Sequence, residues 1–359
     1  MAALSQQNKN KNKKPVKKRK PPAASIKSLE YDLFGRYLGD QDSLSNTIEL
    51  WDGIPKYFVA KQAQDRQRDD KGRLSVLEHA FQYKGVNCNV VIQPASIRQK
   101  DGSYKDYYPS AGEEMVEDVI RKIFTDQAYA HHDPQNTESW VRFSLQMIKK
   151  ELAGRKKTRS VDQIKQSIEI LSRSVISFYV KGEEVYTNPI LADLTRVTRK
   201  DYIDDPTGHW MARLPALISK SVNELSYRQY NYALMFSLKS QLSRWLHKRL
   251  SHNYVNAGLS SPYEILLSSV IRDSGMLPHQ RMNDRVKAFE ATIDELVAKR
   301  ILTQQSKRKE ERRGKGNKID DILFSLCADP AFIKDVKAAN ARKKHAVELS
   351  GFTNEKNEF

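Results

Sequence analysis

The sequence contains few cysteines and no long apolar run. Its two cysteines, Cys88 and Cys327, lie far apart and have no Cys or His neighbour at metal-ligand spacing. This argues against a disulfide framework or a zinc site and favours a reducing compartment. No stretch approaches the length of a transmembrane helix, and the N-terminal residues lack the apolar core of a signal peptide. We therefore predict no membrane anchor, no disulfide and no bound metal.

The motifs of common enzyme classes are also missing. Gly314-Lys315-Gly316 lacks the upstream glycine and the helix of a phosphate-binding loop, so an ATP-driven helicase is not expected. His131-His132-Asp133 suggests a metal or the paired histidines of a nickase, but adjacent histidines in a proline-containing break point in opposite directions. A tyrosine recombinase needs a dispersed Arg/His/Arg/Tyr set, which we do not identify. We expect no catalytic residue and no cofactor.

What the sequence has in excess is positive charge. The 359 residues carry a formal net charge of +17 with a pI near 9.6, and about +9 remains without the lysines and arginine of residues 9–20. A folded body that stays basic without its tail favours a polyanionic partner, with a membrane surface as the alternative to nucleic acid. The tail itself either adds phosphate contacts or only keeps the chain soluble.

The stretch after residue 280 has the pattern of a DNA-recognition helix. Apolar residues from Met282 to Ile301 recur at alternating steps of three and four, which places them on one face of a helix. The first turns of that helix carry long cationic and amide side chains on the open faces. These are our candidates for contacts with base edges: Arg281, Asn283, Arg285 and Lys287.

A basic hairpin is predicted directly after this helix. A short β-prone run, Ile301-Leu302-Thr303, leads into a charged tip with glycine, and apolar residues resume at Ile319. A helix followed by such a wing is the winged form of the helix-turn-helix. The alternative is a surface helix with a solvated charged loop. The wing residues that we expect to contact phosphates are Lys307, Arg308, Arg312, Arg313, Lys315 and Lys318.

The residues upstream complete a helix-turn-helix order. Ser261-Pro262-Tyr263-Glu264 fits a capping box, which predicts a helix that begins there and ends at Gly275. Only a short turn then separates it from the candidate recognition helix.

A similar order is predicted once before residue 220. A β-rich segment at residues 48–109 precedes an acid-started helix, a second helix from about Thr137, a basic turn, an amphipathic helix from Val161 to Phe178, and strands at Ile190–Val197 and Trp210–Leu214. The basic turn and the helix after it supply a second set of DNA-binding candidates: Arg155, Lys156, Lys157, Arg159 and Lys165.

The fold class that follows is α+β, with two winged helix-turn-helix domains in tandem and small antiparallel hairpins or sheets. We assign residues 1–25 to a disordered basic tail and 26–222 to an N-terminal domain with a β-rich entry segment. Residues 223–345 form the C-terminal domain, and 346–359 a flexible end.

Three segments resemble plasmid replication initiator proteins of the iteron-binding, tandem winged-helix type. They are Tyr108-Pro109-Ser110-Ala111-Gly112-Glu113-Glu114-Met115-Val116-Glu117, Arg244-Trp245-Leu246-His247-Lys248-Arg249-Leu250-Ser251-His252, and residues 281–302 with the wing and Asp320-Asp321-Ile322. The resemblance covers roughly residues 45–345, and its motifs are specific only in combination.

The resemblance implies a bacterial, cytoplasmic DNA-binding protein. In that family the C-terminal domain reads direct repeats (iterons) at the plasmid origin, while the N-terminal domain adds backbone contacts and mediates dimerisation. Dimers commonly repress their own promoter, which contributes to copy control, whereas monomers open the origin and recruit the host helicase. The partners expected here are double-stranded DNA, a second copy in a dimer–monomer equilibrium, and the host helicase and initiator. The basic tail is not a feature that we associate with the family.

Two other interpretations of the sequence stay open. A winged-helix transcriptional regulator would make the same DNA contacts without acting at an origin. A nickase or recombinase would form a tyrosyl–DNA intermediate.

Overall fold

The structure is a computed structural model that describes residues 43–126, 128–196, 209–314 and 318–350. The predicted basic tail, Lys315 and the last residues of the predicted flexible end lie outside these ranges.

The first part of the described chain is rich in strands, as predicted. Its elements are β1 (Leu44–Ile48), α1 (Glu49–Gly53), α2 (Lys61–Gln67), β2 (Leu77–Tyr83), β3 (Val86–Gln93), β4 (Ala95–Arg98) and β5 (Tyr104–Tyr107). Lys84-Gly85 forms the turn between β2 and β3, and both residues have the positive φ that a two-residue hairpin turn requires. The hairpin β2–β3 is extended by later strands into a four-stranded sheet.

The next part alternates helices with short strands. Its elements are α3 (Ala111–Phe124), β6 (Ala130–Asp133), β7 (Glu138–Phe143), α4 (Leu145–Gly154), α5 (Val161–Arg173), β8 (Val175–Val180), β9 (Glu183–Pro189), β10 (Ala192–Thr195) and β11 (Trp210–Arg213). Serine side chains cap the two longer helices: Ser110 and Ser160 each form a capping box, with Glu113 and Gln163 respectively.

Three predictions in this part are wrong in detail. The helix expected from Thr137 begins only at Leu145, as α4, and residues 138–143 form strand β7 instead, because Ser139, Val141 and Phe143 alternate as buried residues against β6 and β11. The expected break at residues 131–133 is strand β6. The helix from Val161 also ends earlier than expected, at Arg173. The residues that follow, Val175–Val180, form strand β8, which pairs with β3.

The last part repeats this alternation. Its elements are α6 (Ala216–Asn223), β12 (Tyr227–Asn231), α7 (Tyr232–Ser237), α8 (Gln241–Asn253), β13 (Tyr263–Leu266), α9 (Leu267–Ser274), α10 (Met282–Ala298), β14 (Lys307–Arg313), β15 (Ile319–Leu326) and α11 (Pro330–Ser350). The helix predicted from Met282 and the glycine that ends the helix before it are confirmed, and Gly275 adopts the left-handed conformation.

Two details of the second unit also differ from the prediction. Residues 261–264 do not cap a helix, because Tyr263–Leu266 pairs with β15 as strand β13, and α9 begins only at Leu267. The basic residues placed at the tip of the wing instead form strand β14 itself. Most of the residues predicted at the tip therefore lie in the edge strand of the sheet. The β-prone run at residues 301–303 forms no strand, and Leu302 makes only an isolated bridge to Ala328.

The two units share one order of elements. Helix, strand, two helices and a hairpin occur as α3, β7, α4, α5 and β10–β11, and again as α8, β13, α9, α10 and β14–β15. The sheets match as well, with strand orders β10-β11-β7 and β14-β15-β13. In the first unit the hairpin β8–β9 is inserted after α5 and joins β2 and β3. An α+β fold with small antiparallel sheets is therefore confirmed.

Apolar residues form two main cores. The first includes Trp51, Phe143 and Ile168 and continues through Phe236, whereas the second begins at Leu238 and includes Phe289 and Phe324. Strand β1 pairs with β12 within the first core. Two features join the two cores: α11 packs along β12, and Ala346 at the end of α11 belongs to the first core. The boundary between residues 222 and 223 stays a prediction.

The turn between α9 and α10 depends on glycine at position 275. Its φ is +68°, and a Cβ there would lie 2.7 Å from the ring of Phe58. We expect Gly275→Ala to lower the free energy of unfolding by about 1–3 kcal/mol, because a non-glycine residue in the left-handed region is strained and the ring must move. Chemical denaturation measures this effect.

Gly53→Ala is the matched control, since no atom lies within 4 Å of a Cβ at that position. It should leave the free energy of unfolding unchanged or raise it slightly. Equal losses in the two variants would contradict a special role for the turn.

Candidate nucleic-acid interface

The first turns of α10 present polar side chains to solvent. Val286, Phe289 and Ile293 bury the opposite side of the helix, and the ring of Phe289 meets Phe324 of the hairpin edge-on at 4.8 Å. This packing turns the predicted residues Arg281, Asn283 and Lys287 outward, where they are exposed. Arg285 differs from them: it is half-buried, and its Nε donates to the carbonyl of His279. Arg285 therefore also holds the turn before α10.

The hairpin β14–β15 carries a second set of exposed cations, but part of their charge is already paired. Arg308 donates to Glu290 of α10 at 2.6 Å, and Arg313 donates to Glu311 at 2.6 Å. Lys307, Arg312 and Lys318 are exposed and make no ion pair with the described residues. The Arg308–Glu290 contact ties the hairpin to the helix, so that both present one surface. A phosphate must displace a carboxylate to reach Arg308.

In the first unit, the turn between α4 and α5 holds four of the other predicted cations, and Lys165 lies in α5. Lys156 and Lys165 are exposed. Arg155 pairs with Glu151 at 3.2 Å and lies over the ring of Tyr232. The remaining two, Lys157 and Arg159, pack inward.

Lys157 and Arg159 link this turn to its neighbours. The ammonium of Lys157 donates to the carbonyl of Leu238 at 3.3 Å, and burial together with nearby Arg244 lowers the pKa of Lys157. The guanidinium of Arg159 lies against Gly112 at the start of α3, where a Cβ would come within 2.8 Å of it. The structure therefore brings the predicted residues to two surfaces, one on each unit, with Lys156 and Lys165 as the exposed members of the first.

The two units meet through buried charges. Lys248 of α8 donates to both carboxylate oxygens of Asp118 in α3, at 2.7 and 2.9 Å, and Arg244 lies 3.5 Å from Glu114. Arg121 binds Asp52 at 2.6 Å. These side chains are all less than a tenth exposed. We call these six residues the interface charge network.

The pKa values of the network follow from its burial. Burial raises the pKa of Asp118 to about 6, an effect that Lys248 only partly offsets. Burial acts the same way on Asp52, but Arg121 and Lys248 outweigh it and hold the pKa of Asp52 well below its usual range. Burial would lower the pKa of Lys248, yet Asp118, Asp52 and Glu114 together hold it above the usual value. Lys248 and Asp118 are therefore both charged at pH 7.5.

The interface charge network was not predicted from the sequence. We took the acids of α3 only as the start of an acid-started helix and used Arg244–His252 only for the family resemblance, and neither observation pairs the two sets. The available signal was spacing: Glu114, Asp118 and Arg121 recur at four and three on one helical face, and Arg244 and Lys248 at four on another. Two of the three segments that carry the family resemblance thus contact each other directly.

A cleft of about 360 Å³ lies between the units. Its cations Lys84, Arg249 and Arg272 pair with Glu49 and Asp273 at 2.7–3.4 Å. Each of these cations already has a carboxylate partner, so an anionic ligand would have to compete with Glu49 or Asp273 for it.

Across the described ranges, no group of three or more His, Cys, Asp or Glu side chains is arranged to hold a metal ion. Strand β6 turns His132 towards Ser139 and Asn223, which bind its two ring nitrogens at 2.8 and 2.9 Å. Among the helices of the same residues, we find none with the length and hydrophobicity of a membrane span.

Comparison with known proteins gives structural neighbours only. The chain is similar to the crystal structure of a selenomethionine derivative of domains 2 and 3 of RctB, with a TM-score of 0.45, 9% identity, and coverage of 81% of this chain and 99% of that one. A second structure of RctB domains 2–3 has a TM-score of 0.41, 11% identity and coverage of 77% and 100%. The Pi initiator protein in complex with iteron DNA has a TM-score of 0.35, 11% identity and coverage of 81% and 100%.

No protein-family model matches the chain, and no curated protein matches it.

Substitutions in the pair Lys248–Asp118 should change the free energy of unfolding. Lys248→Met leaves the Asp118 carboxylate buried without its hydrogen-bond partner, so we expect the free energy of unfolding to fall by about 3–5 kcal/mol. Replacing both groups, with Asp118→Leu and Lys248→Met, should recover most of that loss, since no unpaired charge remains. Urea denaturation at pH 7.5 measures both variants. A double variant that is less stable than Lys248→Met would contradict this interpretation.

His247, the neighbour of Lys248, should make the free energy of unfolding depend on pH. The ring is 1% exposed, its Nδ1 has no hydrogen-bond partner, and burial, helped by Lys248, lowers its pKa to about 3. The unfolded chain takes up a proton near pH 6.5 and the folded chain does not. From pH 7.5 to 5.5, His247 should therefore cost the folded state about 1.4 kcal/mol.

His247→Leu should remove this cost. The difference in unfolding free energy between the natural chain and the variant, measured at both pH values, isolates His247 from other titrating groups such as Asp118. If this difference in unfolding free energy is the same at pH 7.5 and 5.5, His247 takes up its proton in the folded chain as it does in the unfolded chain, which would contradict the prediction.

Proposed function

We propose that this chain is a non-enzymatic, sequence-specific DNA-binding protein with two winged helix-turn-helix units in tandem, and that it acts as a plasmid replication initiator. The observation that carries the proposal is the surface formed by α10 and the hairpin β14–β15. Exposed cationic and amide side chains lie on the first turns of a helix, beside a basic hairpin whose Phe324 packs against Phe289 of that helix. This is the arrangement by which a winged helix enters a major groove and holds the flanking backbone.

The proposed contacts differ in kind. Arg281, Asn283 and Lys287 lie at the end of α10 that would enter the groove and are assigned to base edges, with Arg285 holding the turn behind them. Lys307, Arg312 and Lys318 are assigned to phosphates, as is Arg308 once it leaves Glu290. Lys156 and Lys165 of the first unit would bind the adjacent groove or its backbone. If about eight phosphates are engaged, log K against log salt should have a slope near −7.

The finer functional assignments rest on the sequence resemblance. They are binding to iterons at a plasmid origin, opening of that origin, recruitment of the host helicase and initiator, and a dimer–monomer equilibrium in which the dimer represses its own promoter. They place the protein in the bacterial cytoplasm with copy control as one outcome.

A footprint tests the proposal. Genomic and plasmid fragments are selected with the purified chain at physiological salt in the presence of competitor DNA, and the bound sites are mapped. Regularly spaced protection over direct repeats supports an initiator. Protection of one isolated palindrome favours the transcriptional regulator instead. Binding without any discrete protection would contradict sequence-specific recognition, and a covalent protein–DNA product on a denaturing gel would indicate an enzyme.

Substitutions separate base contacts from phosphate contacts. Asn283→Ala should weaken binding to the selected site by about 1–3 kcal/mol and leave random duplex nearly unchanged, because a base contact carries sequence information. Lys307→Ala should weaken both duplexes equally, since a phosphate contact does not. Titrations of both duplexes at one salt concentration measure the effects.

Lys220→Ala, an exposed lysine on α6 outside both surfaces, is the control and should change neither affinity. Equal losses on both duplexes for Asn283→Ala would overturn its assignment to a base edge.

A further inference from the structure

We propose that the hairpin β4–β5 is a further DNA-contacting element, which binds the duplex backbone beside the surface that α5 presents in the first unit. This inference rests on the proposed function, because it adds a contact to the same complex with duplex DNA. The side chains assigned to this contact are Arg98 and Lys100 in the hairpin and Arg173 at the end of α5. We call these three residues the hairpin surface.

The hairpin packs directly against α5, the helix that carries Lys165. Ile97 of β4 and Ile170 of α5 belong to one small apolar cluster, in which both side chains are at most 5% exposed. The guanidinium of Arg173 also donates to the backbone carbonyl of Ser96 at 3.2 Å. Buried apolar contact therefore holds the hairpin beside a helix that we have assigned to DNA.

The tip of this hairpin, residues 98–104, is an ordered turn. The N–H of Gln99 donates to the carbonyl of Ser103 at 2.8 Å, and Gly102 supplies the positive φ that the turn needs. The only acid of the tip is Asp101, whose carboxylate accepts from the N–H and the hydroxyl of Ser103 at 3.0 and 2.7 Å. That carboxylate is bonded within the turn and forms no ion pair with a described cation of the tip.

The cations near the hairpin divide into two groups. Those that lie against the body have acidic partners: Arg73 pairs with Asp106 at 3.1 Å and Lys105 pairs with Asp65 at 3.5 Å. The three residues of the hairpin surface are exposed instead, and none of them forms an ion pair with a described residue. A phosphate can therefore bind them without displacing a carboxylate, in contrast to the paired cations of the hairpin β14–β15.

Chain geometry places the hairpin surface and Lys165 within reach of one duplex. Along α5, Lys165 is about 8 Å from Ile170, and along the hairpin Lys100 is about 10 Å from Ile97. With about 10 Å between the packed helix and strand, the main chain at Lys100 is at most about 30 Å from that at Lys165. One helical turn of DNA is longer, about 34 Å, so the distance allows one duplex to meet both.

A contact of this kind changes how affinity depends on the length of the duplex. If the hairpin surface binds phosphates, extending the duplex beyond the end that meets the first unit supplies those phosphates and should tighten binding by about tenfold. Each phosphate also steepens the slope of log K against log salt by about 0.9, so three should steepen it by about 3. If the hairpin is only a solvated loop, the same extension should change neither quantity.

The test uses the full chain and duplexes derived from the selected site. The minimal duplex is the shortest one on which Lys165→Ala still weakens binding, so that the contact with α5 is present. Two longer duplexes extend it by about ten base pairs, one helical turn, beyond the first-unit end or beyond the opposite end. Affinities are measured for all three duplexes at several salt concentrations.

Three variants accompany the natural chain. Arg98→Ala with Lys100→Ala removes the two cations of the tip, and Arg98→Gln with Lys100→Gln serves if alanine disturbs the turn. Lys181→Ala with Lys220→Ala is the matched control, because it removes the same number of exposed charges. Lys181 is also in a hairpin turn, between β8 and β9, but at the end of β3 away from β4.

We expect the natural chain and the control to bind the duplex extended at the first-unit end about tenfold more tightly than the minimal duplex. The tip variants should keep the affinity for the minimal duplex, lose most of the gain from the extension, and show a salt slope that is smaller by about 2 on the extended duplex.

Two results would overturn the inference while leaving sequence-specific binding intact. One is a natural chain that gains nothing from the extension, and the other is a tip variant that keeps the full gain. A control that loses as much of the gain as the tip variants would also contradict it, since net charge and not the hairpin would then be responsible. If no duplex is selected at all, the proposed function fails and this inference fails with it.

Discussion

The arrangement of the chain depends on a few buried ion pairs. Lys248 and Arg244 of α8 face Asp118 and Glu114 of α3, and Arg121 of α3 binds Asp52 of α1. Burying charge is costly unless each charge is matched. Because these are matched, the contact is specific: a different packing of the units would leave charges unpaired. Apolar packing alone, which has little directionality, would not select one orientation as strictly.

This constraint connects the fold to the proposed function. Each unit presents a modest surface, with two exposed cations, Lys156 and Lys165, in the first and a helix with its hairpin in the second. Either surface alone offers few contacts, and several of its cations are already paired with carboxylates. Joined rigidly, the two surfaces add their binding free energies without the entropic cost of ordering a linker. We therefore expect one chain to contact a longer stretch of duplex than either surface covers alone.

The sequence allowed much of the second unit to be predicted, and less of the first. The periodicity of Met282–Ile301 and the glycine at 275 are local signals, and both were correct. Residues 137–143 were predicted as a helix because their apolar residues suit either period, and only pairing with β11 decides for a strand. The capping box at Ser261 failed for the same reason, since pairing of β13 with β15 overrides a local preference. The interface charge network requires knowing that α3 and α8 meet, which no local pattern contains.

The most direct test of the account maps where each unit touches one bound duplex. Asp284→Cys on α10 and Asp162→Cys on α5, both exposed and neither assigned to a DNA contact, each in a Cys327→Ser background that leaves buried Cys88 in place, receive an iron chelate that cleaves nearby DNA. The account predicts one cluster of cuts for each position, on the same face of the selected site and about one helical turn apart. Cuts from only one position, or a separation that varies between sites, would contradict two units acting as one rigid DNA-binding body.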